Sequence, residues 1–274
     1  MQQDKDEQPI PLCPVPATLR RLATLSHEGS GLVRQCDVRG LLHCHTAYSD
    51  GAHNLRDMVH TAREIGLEYL GFSDHVRSDA HPDGLAACAL ARQHEEIEAL
   101  REECPDFDIL QGVEVAMDHD GRLPLDEEAL SRFDYVIVSL GDGAGEDPGH
   151  LTERAVRAVM HPCTTILSKP VGTYMLAQPP VPMDVGRVLQ AAAEARVAVE
   201  VNAMPAVIDT DWQHCHLAQQ HGVLLSINPN AHRAARLVDY RHGIELIRKA
   251  GLCCRQILNT LTAPELREFL RRGV

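Results

Sequence analysis

From Asp37 onward, short apolar runs rich in branched side chains alternate with amphipathic stretches of about three turns, the pattern of a parallel sheet with crossover helices. The strand candidates are Gly40 to Cys44, Tyr69 to Ser73, Ile109 to Val115, Tyr135 to Leu140, Thr165 to Ser168, Ala198 to Asn202 and Leu224 to Ile227. Each is almost continuously apolar, as strands covered on both faces must be. Between them, Leu55, Met58, Val59, Ala62 and Ile65 repeat at helical spacing before Gly66, and Leu189, Ala192, Ala193 and Val197 do the same. Pro264 to Leu270, with Pro and Glu in its first turn and Arg271 and Arg272 at its end, predicts a closing helix. Seven strands of this kind predict one α/β barrel over residues 36–274. Residues 1–35, rich in Pro, Ser and Gly with one apolar-periodic stretch at Ala17 to Leu25, predict a loosely packed leader carrying a short helix.

A chain of 274 residues suffices for one domain of this size. The nine cysteines, an odd number without a C-x-x-C pair, sit mostly in apolar runs and predict reduced, buried thiols in a cytoplasmic protein. The polar, acidic start lacks the features of a signal peptide, and no run of about 18 uncharged apolar residues offers a membrane span. A formal charge of −13 repels phosphate backbones at long range, which argues against stable binding of duplex nucleic acid. The same charge suits a site that collects cations.

Residues able to bind metal gather where strands end. In His43-Cys44-His45 the two imidazoles fall on one face, because side chains alternate along a strand, and Asp50-Gly51 follows shortly after. Cys44 then points into the barrel wall. Ser73-Asp74-His75 places His75 at the same edge. Glu114, inside the apolar run Gly112 to Val115, is costly to bury unless it faces a cation or a paired arginine. Asn228-Pro229-Asn230-Ala231-His232 closes the series. The plainer alternative for each group is a polar strand terminus. His119 and most other histidines fall on outer loops or helices and read as surface or satisfied core groups.

The ordered set H-x-H-x4-D-G, S-D-H, G-V-E-V and N-A-H resembles the PHP (polymerase and histidinol phosphatase) family, most closely the PHP region of bacterial family X DNA polymerases. That resemblance implies a distorted seven-stranded, TIM-like barrel with up to three ions, often zinc or manganese, hydrolysing phosphomonoesters or 3′ ends of DNA through metal-activated water. Carried over, His43, His45 and Glu114 hold a first metal. Asp50, His75 and His232 hold a third, and Glu114 bridges to a second.

Departures from the pattern concentrate on that second metal. The family's histidine after the fourth strand is Gly141 here, followed by Asp142, and its His-Pro after the fifth is Lys169-Pro170. An arginine often found three residues after that proline is Thr173, and an aspartate at the last strand is Asn230, whose amide oxygen remains a weaker ligand. An ammonium at about 4 Å from a divalent ion would repel it by about 8 kcal/mol at an effective dielectric near 20. One or two bound ions are therefore expected. Asp142 and His150 are candidate replacement ligands, and Lys169 is a candidate partner for a substrate phosphate. With Glu114 and His232, Asp142 and Lys169 make up the expected catalytic group. The expected function is a phosphoesterase with weakened activity, on a small phosphate ester or a single-stranded 3′ end, with a polymerase as a candidate partner. The alternative is an inactive PHP domain kept as a structural or partner-binding module. A carboxylated Lys169, as in amidohydrolase barrels, is a third and more distant reading.

Overall fold

A computed structural model describes residues 31–78, 81–140, 146–168, 183–205 and 211–271. Seven strands, β1 (Gly40–Leu41), β2 (Tyr69–Phe72), β3 (Asp108–Ala116), β4 (Tyr135–Ser139), β5 (Ile166–Ser168), β6 (Ala198–Asn202) and β7 (Leu225–Asn228), pair in sequence order. Every pairing is parallel. The intervening helices are α1 (Leu55–Glu64), α2 (Ala87–Glu103), α3 (Glu127–Leu130), α4 (Pro148–Val159), α5 (Val185–Ala195), α6 (Trp212–Gln220), α7 (Tyr240–Lys249) and α8 (Ala263–Arg271). This is the expected barrel, and β2 to β7 lie within about a residue of their predicted bounds, the usual scatter of strand ends.

The first strand differs from its prediction. It pairs regularly only over Gly40 and Leu41, and the chain then leaves the ladder. Leu41 and Cys44 pack in the layer between strands and helices, whereas Leu42 packs inside the barrel with Tyr69, Leu110 and Tyr135. Alternation therefore slips by one residue between Leu42 and His43, as at a bulge. The seam with β7 is closed by a bridge between Cys44 and Ala231 and by side chains that replace ladder bonds. Asn228 Oδ1 accepts from Leu42 N at 2.9 Å, and Asn259 spans the seam by donating to Gly40 O and accepting from Ile227 N.

Tyr135 fills the barrel's middle, its hydroxyl donating to Leu42 O and Phe72 O at 2.6 and 2.9 Å. Glycine is required opposite it: a Cβ on Gly112 would lie 2.3 Å from the ring. Below this layer, Leu266 and Leu270 of α8 close the barrel's lower end. Glu265 in the first turn of that helix reaches back to Thr262, its Oε2 accepting from Thr262 N and Oγ1 at 2.8 Å.

The predicted leader helix lies outside the described residues. Val33, within the stretch expected to be loosely packed, is buried, and its N–H donates to Leu252 O. The thiols are only partly as expected. Among the described residues all are free, but only Cys44 and Cys215 are buried; Cys36 is exposed and Cys104, Cys163, Cys253 and Cys254 are half-buried. No helix among the described residues is long and apolar enough to cross a membrane.

Candidate metal centre

All the strand-end groups lie at the carboxyl edge of the sheet, where parallel barrels build their sites. His43 Nε2 stands 3.1 Å from His45 Nε2 and 3.0 Å from Glu114 Oε2, and His45 Nε2 stands 3.4 Å from the same carboxylate oxygen. All three side chains are buried. A second group adjoins the first through His45: Asp50 Oδ2 lies 3.1 Å from His232 Nε2 and 3.8 Å from His75 Nε2. The rings of His75 and His232 each stack on His45 with centroids 4.4 Å apart. Glu114 joins the two groups, since its Oε2 is also 3.3 Å from His75 Nδ1.

Local structure fixes each member. Glu114 is held in register by the bridge between His75 and β3, with Glu114 N donating to Asp74 O and Val76 N to Glu114 O. Asp74, fully buried, accepts from Thr46 N and Oγ1, Ser49 Oγ and Gln93 Nε2 at 2.6–2.7 Å, which shapes the turn that presents Asp50. Gly51 completes this turn because a Cβ there would sit 2.4 Å from His45 O. Behind His43, the buried carboxylate of Glu200 faces Nδ1 at 2.6 Å and is itself held by Asn228 Nδ2 at 3.0 Å and by the Ser168 hydroxyl. His232 Nδ1 donates to Asn230 O at 3.0 Å, which directs Nε2 towards Asp50.

The electrostatics call for positive charge. Burial pulls the His43 pKa down, but Glu200 and Glu114 outweigh it and push the pKa up to about 10. One imidazole between two buried carboxylates thus carries a proton where a cation would serve. Burial and the neighbouring His43 hold His45 well below the usual range, and burial, only partly opposed by Glu114, lowers His75 to about 4. Burial opposes charge on Asp50, yet its bond with His232 and the nearby His45 keep it ionised, and Asp50 in turn raises His232. His45 Nδ1, His75 Nδ1 and Asn230 Oδ1, buried in this part of the barrel, make no hydrogen bond. Imidazoles and carboxylates gathered in two adjoining groups fit a borderline divalent cation.

Residues 42–165 match the family model of the PHP domain. The chain carries a PHP domain. It is 30% identical over 242 residues to the DNA polymerase/3'-5' exonuclease PolX of Bacillus subtilis, covering 88% of this chain and 42% of that protein, so it spans less than half of this relative. It is 27% identical over 244 residues to a probable phosphatase of Thermoanaerobacter sp., covering 84% of this chain and 94% of the relative. The fold is similar to that of histidinol phosphate phosphatase from Lactococcus lactis, solved with zinc, L-histidinol and phosphate, at a TM-score of 0.56 and 19% identity over 78% of this chain and 94% of that one.

His43, His45, Asp50, His75, Glu114 and His232 come together as ligand-competent groups. Asn230, in the left-handed region at φ 46°, stands beside them. Asp142 and Lys169, with Gly141 and Thr173, lie outside the described residues. His81, whose ring stacks on His75 at 3.6 Å and 10°, had no signal in strand pattern because it comes from the following loop. Glu200 did carry a signal, an acid inside the apolar strand β6, of the same kind that singled out Glu114.

Proposed function

We propose that the chain is a metal-dependent phosphoesterase acting on small phosphate monoesters, with one or two zinc or manganese ions at the barrel edge. His43, His45 and Glu114 form one ligand set; Asp50, His75 and His232 form the adjoining one, with Asn230 as an accessory oxygen. The observation that carries this reading is the approach of two imidazole nitrogens and a carboxylate oxygen to within 3.0–3.4 Å of one another inside the barrel. Only a shared cation makes that arrangement economical once the imidazoles are neutral.

A divalent ion bound there supplies an acidified water and positive charge against the phosphoryl oxygens. The chain's own residues supply orientation. Glu200 holds Nδ1–H of His43 so that Nε2 faces the site, and Asn230 O does the same for His232. Asp50 is the half-exposed member and marks the side from which substrate enters. Glu114 and His232 stand closest to the chemistry; Asp142 as an auxiliary ligand and Lys169 as a phosphate partner complete the proposed catalytic group.

Hydrolysis of single-stranded 3′ ends, beside a polymerase partner, is the finer alternative supported by the likeness to PolX. A non-catalytic PHP module is favoured by Asn230, a neutral residue within the ligand group. Metal-stripped protein, reloaded with zinc or manganese and assayed on p-nitrophenyl phosphate and on a 3′-labelled oligonucleotide, separates these readings. Metal-dependent turnover of the aryl phosphate is expected. Bound metal without turnover of either substrate would leave the non-catalytic module.

A further inference from the structure

We propose that His119, Glu146 and His150 form a further, solvent-open site for a zinc-like divalent cation beyond the ends of β3 and β4, sharing no residue with the centre described above. His119 follows β3, and Glu146 and His150 sit at the start of α4, so two successive loops meet there. One ligand atom from each residue lies within 4.8 Å of the other two. His150 Nδ1 is 3.6 Å from Glu146 Oε2, and His119 Nδ1 is 3.8 Å from Glu146 Oε1. These spacings exceed ordinary hydrogen bonds and approach the roughly 3.4 Å between donors of a tetrahedral ion with bonds of about 2.05 Å.

The independent observation is Glu146 itself. Its side chain is 9% exposed, and Oε2, buried beside His150, accepts no hydrogen bond. A buried carboxylate oxygen without a donor is costly and is satisfied by a cation. The other oxygen, Oε1, accepts from buried Arg154 Nη1 at 2.6 Å, while Nη2 of the same guanidinium binds Leu140 O at 2.6 Å and ties the carboxylate to the end of β4. Ligating carboxylates are commonly fixed in this way by a partner behind them.

The surrounding loops are pinned as well. Arg157 of α4 donates to Asp120 O, which holds the segment bearing His119 against the helix. Asp147 caps α4 by accepting from His150 N at 3.0 Å and sets its negative charge against the helix's positive end. His119 and His150 are 81% and 50% exposed, so an ion held by three side chains keeps a position open to water or to an anion. Two imidazoles with one carboxylate favour zinc over magnesium or calcium.

The test compares wild type, the double variant His119→Ala/His150→Ala, and Glu146→Gln. Each protein is stripped with chelator, reloaded with zinc chloride, freed of excess by gel filtration and assayed for zinc. Both imidazoles are exposed, so the double variant keeps its core, and thermal unfolding without metal checks this. Each variant is expected to carry one zinc per chain fewer than wild type. Equal zinc in wild type and double variant overturns the proposal, and full zinc in Glu146→Gln overturns the role of the buried carboxylate. Zinc remaining in the double variant reports the His43–His45–Glu114 centre separately, so failure of one site is distinguishable from failure of the other.

Discussion

Glu200→Gln tests the support behind His43 with little change of shape. Glu200 Oε1 faces His43 Nδ1 at 2.6 Å and Asn228 Nδ2 at 3.0 Å, and Oε2 accepts from Ser168. A glutamine can keep its oxygen towards His43 and Asn228 and turn its NH2 to Ser168, whose hydroxyl can accept. Charge is then the main loss. Across the imidazole, about 6 Å away at an effective dielectric near 20, one unit of charge is worth about 3 kcal/mol. In the metal-free chain that carboxylate steadies a singly charged imidazolium, and with metal it steadies two charges, so the difference is about one unit's worth. Metal affinity should therefore fall by about a hundredfold, the upper end of the usual range for a residue behind a ligand. The assay is zinc affinity by competition with a chromophoric chelator, alongside thermal unfolding of the metal-free protein. Unchanged zinc affinity would refute the reasoning. So would a collapse of metal-free stability, because the residue would then be acting on the fold.

Other expectations follow from neighbouring observations. Asn230 already has the backbone conformation that aspartate tolerates, its Oδ1 is buried without a hydrogen bond, and its backbone O holds His232, so Asn230→Asp should raise zinc affinity in the same competition assay. Gly112→Ala would drive a Cβ into the Tyr135 ring and should cost about 1–3 kcal/mol of stability, read from denaturant unfolding. His43 and His232 both have raised pKa values in the metal-free chain, so uptake of metal must release protons. Zinc retention should accordingly weaken as pH falls, and calorimetry in buffers of different ionisation enthalpy should detect the released protons.

The barrel was legible because its strands are buried on both faces, leaving apolar runs that end at polar clusters, and β6 matches its prediction over Ala198 to Asn202. Alternation also placed His43 and His45 together. It failed at Leu42, where the chain leaves the ladder and Asn228 supplies the missing acceptor, because side chains that close a seam leave no periodic trace. Glu200 was readable in kind but not in role, since the partner it faces, His43, is 157 positions away. The pairing of His119 with Glu146 and His150 was hidden for a different reason. His119 and Glu146 lie outside the strands and helices and His150 in the first turn of α4, so no shared period links them, and Arg154 and Arg157 help to hold them together.

The account rests on a cation at the edge of the barrel. Anomalous diffraction at the zinc absorption edge, from crystals of metal-stripped protein reloaded with zinc, tests it most directly. The predicted result is a peak within bonding distance of His43 Nε2, His45 Nε2 and Glu114 Oε2, with His43 still bonded to Glu200. Fully ordered side chains with no peak there, and His43 protonated between Glu114 and Glu200, would contradict it.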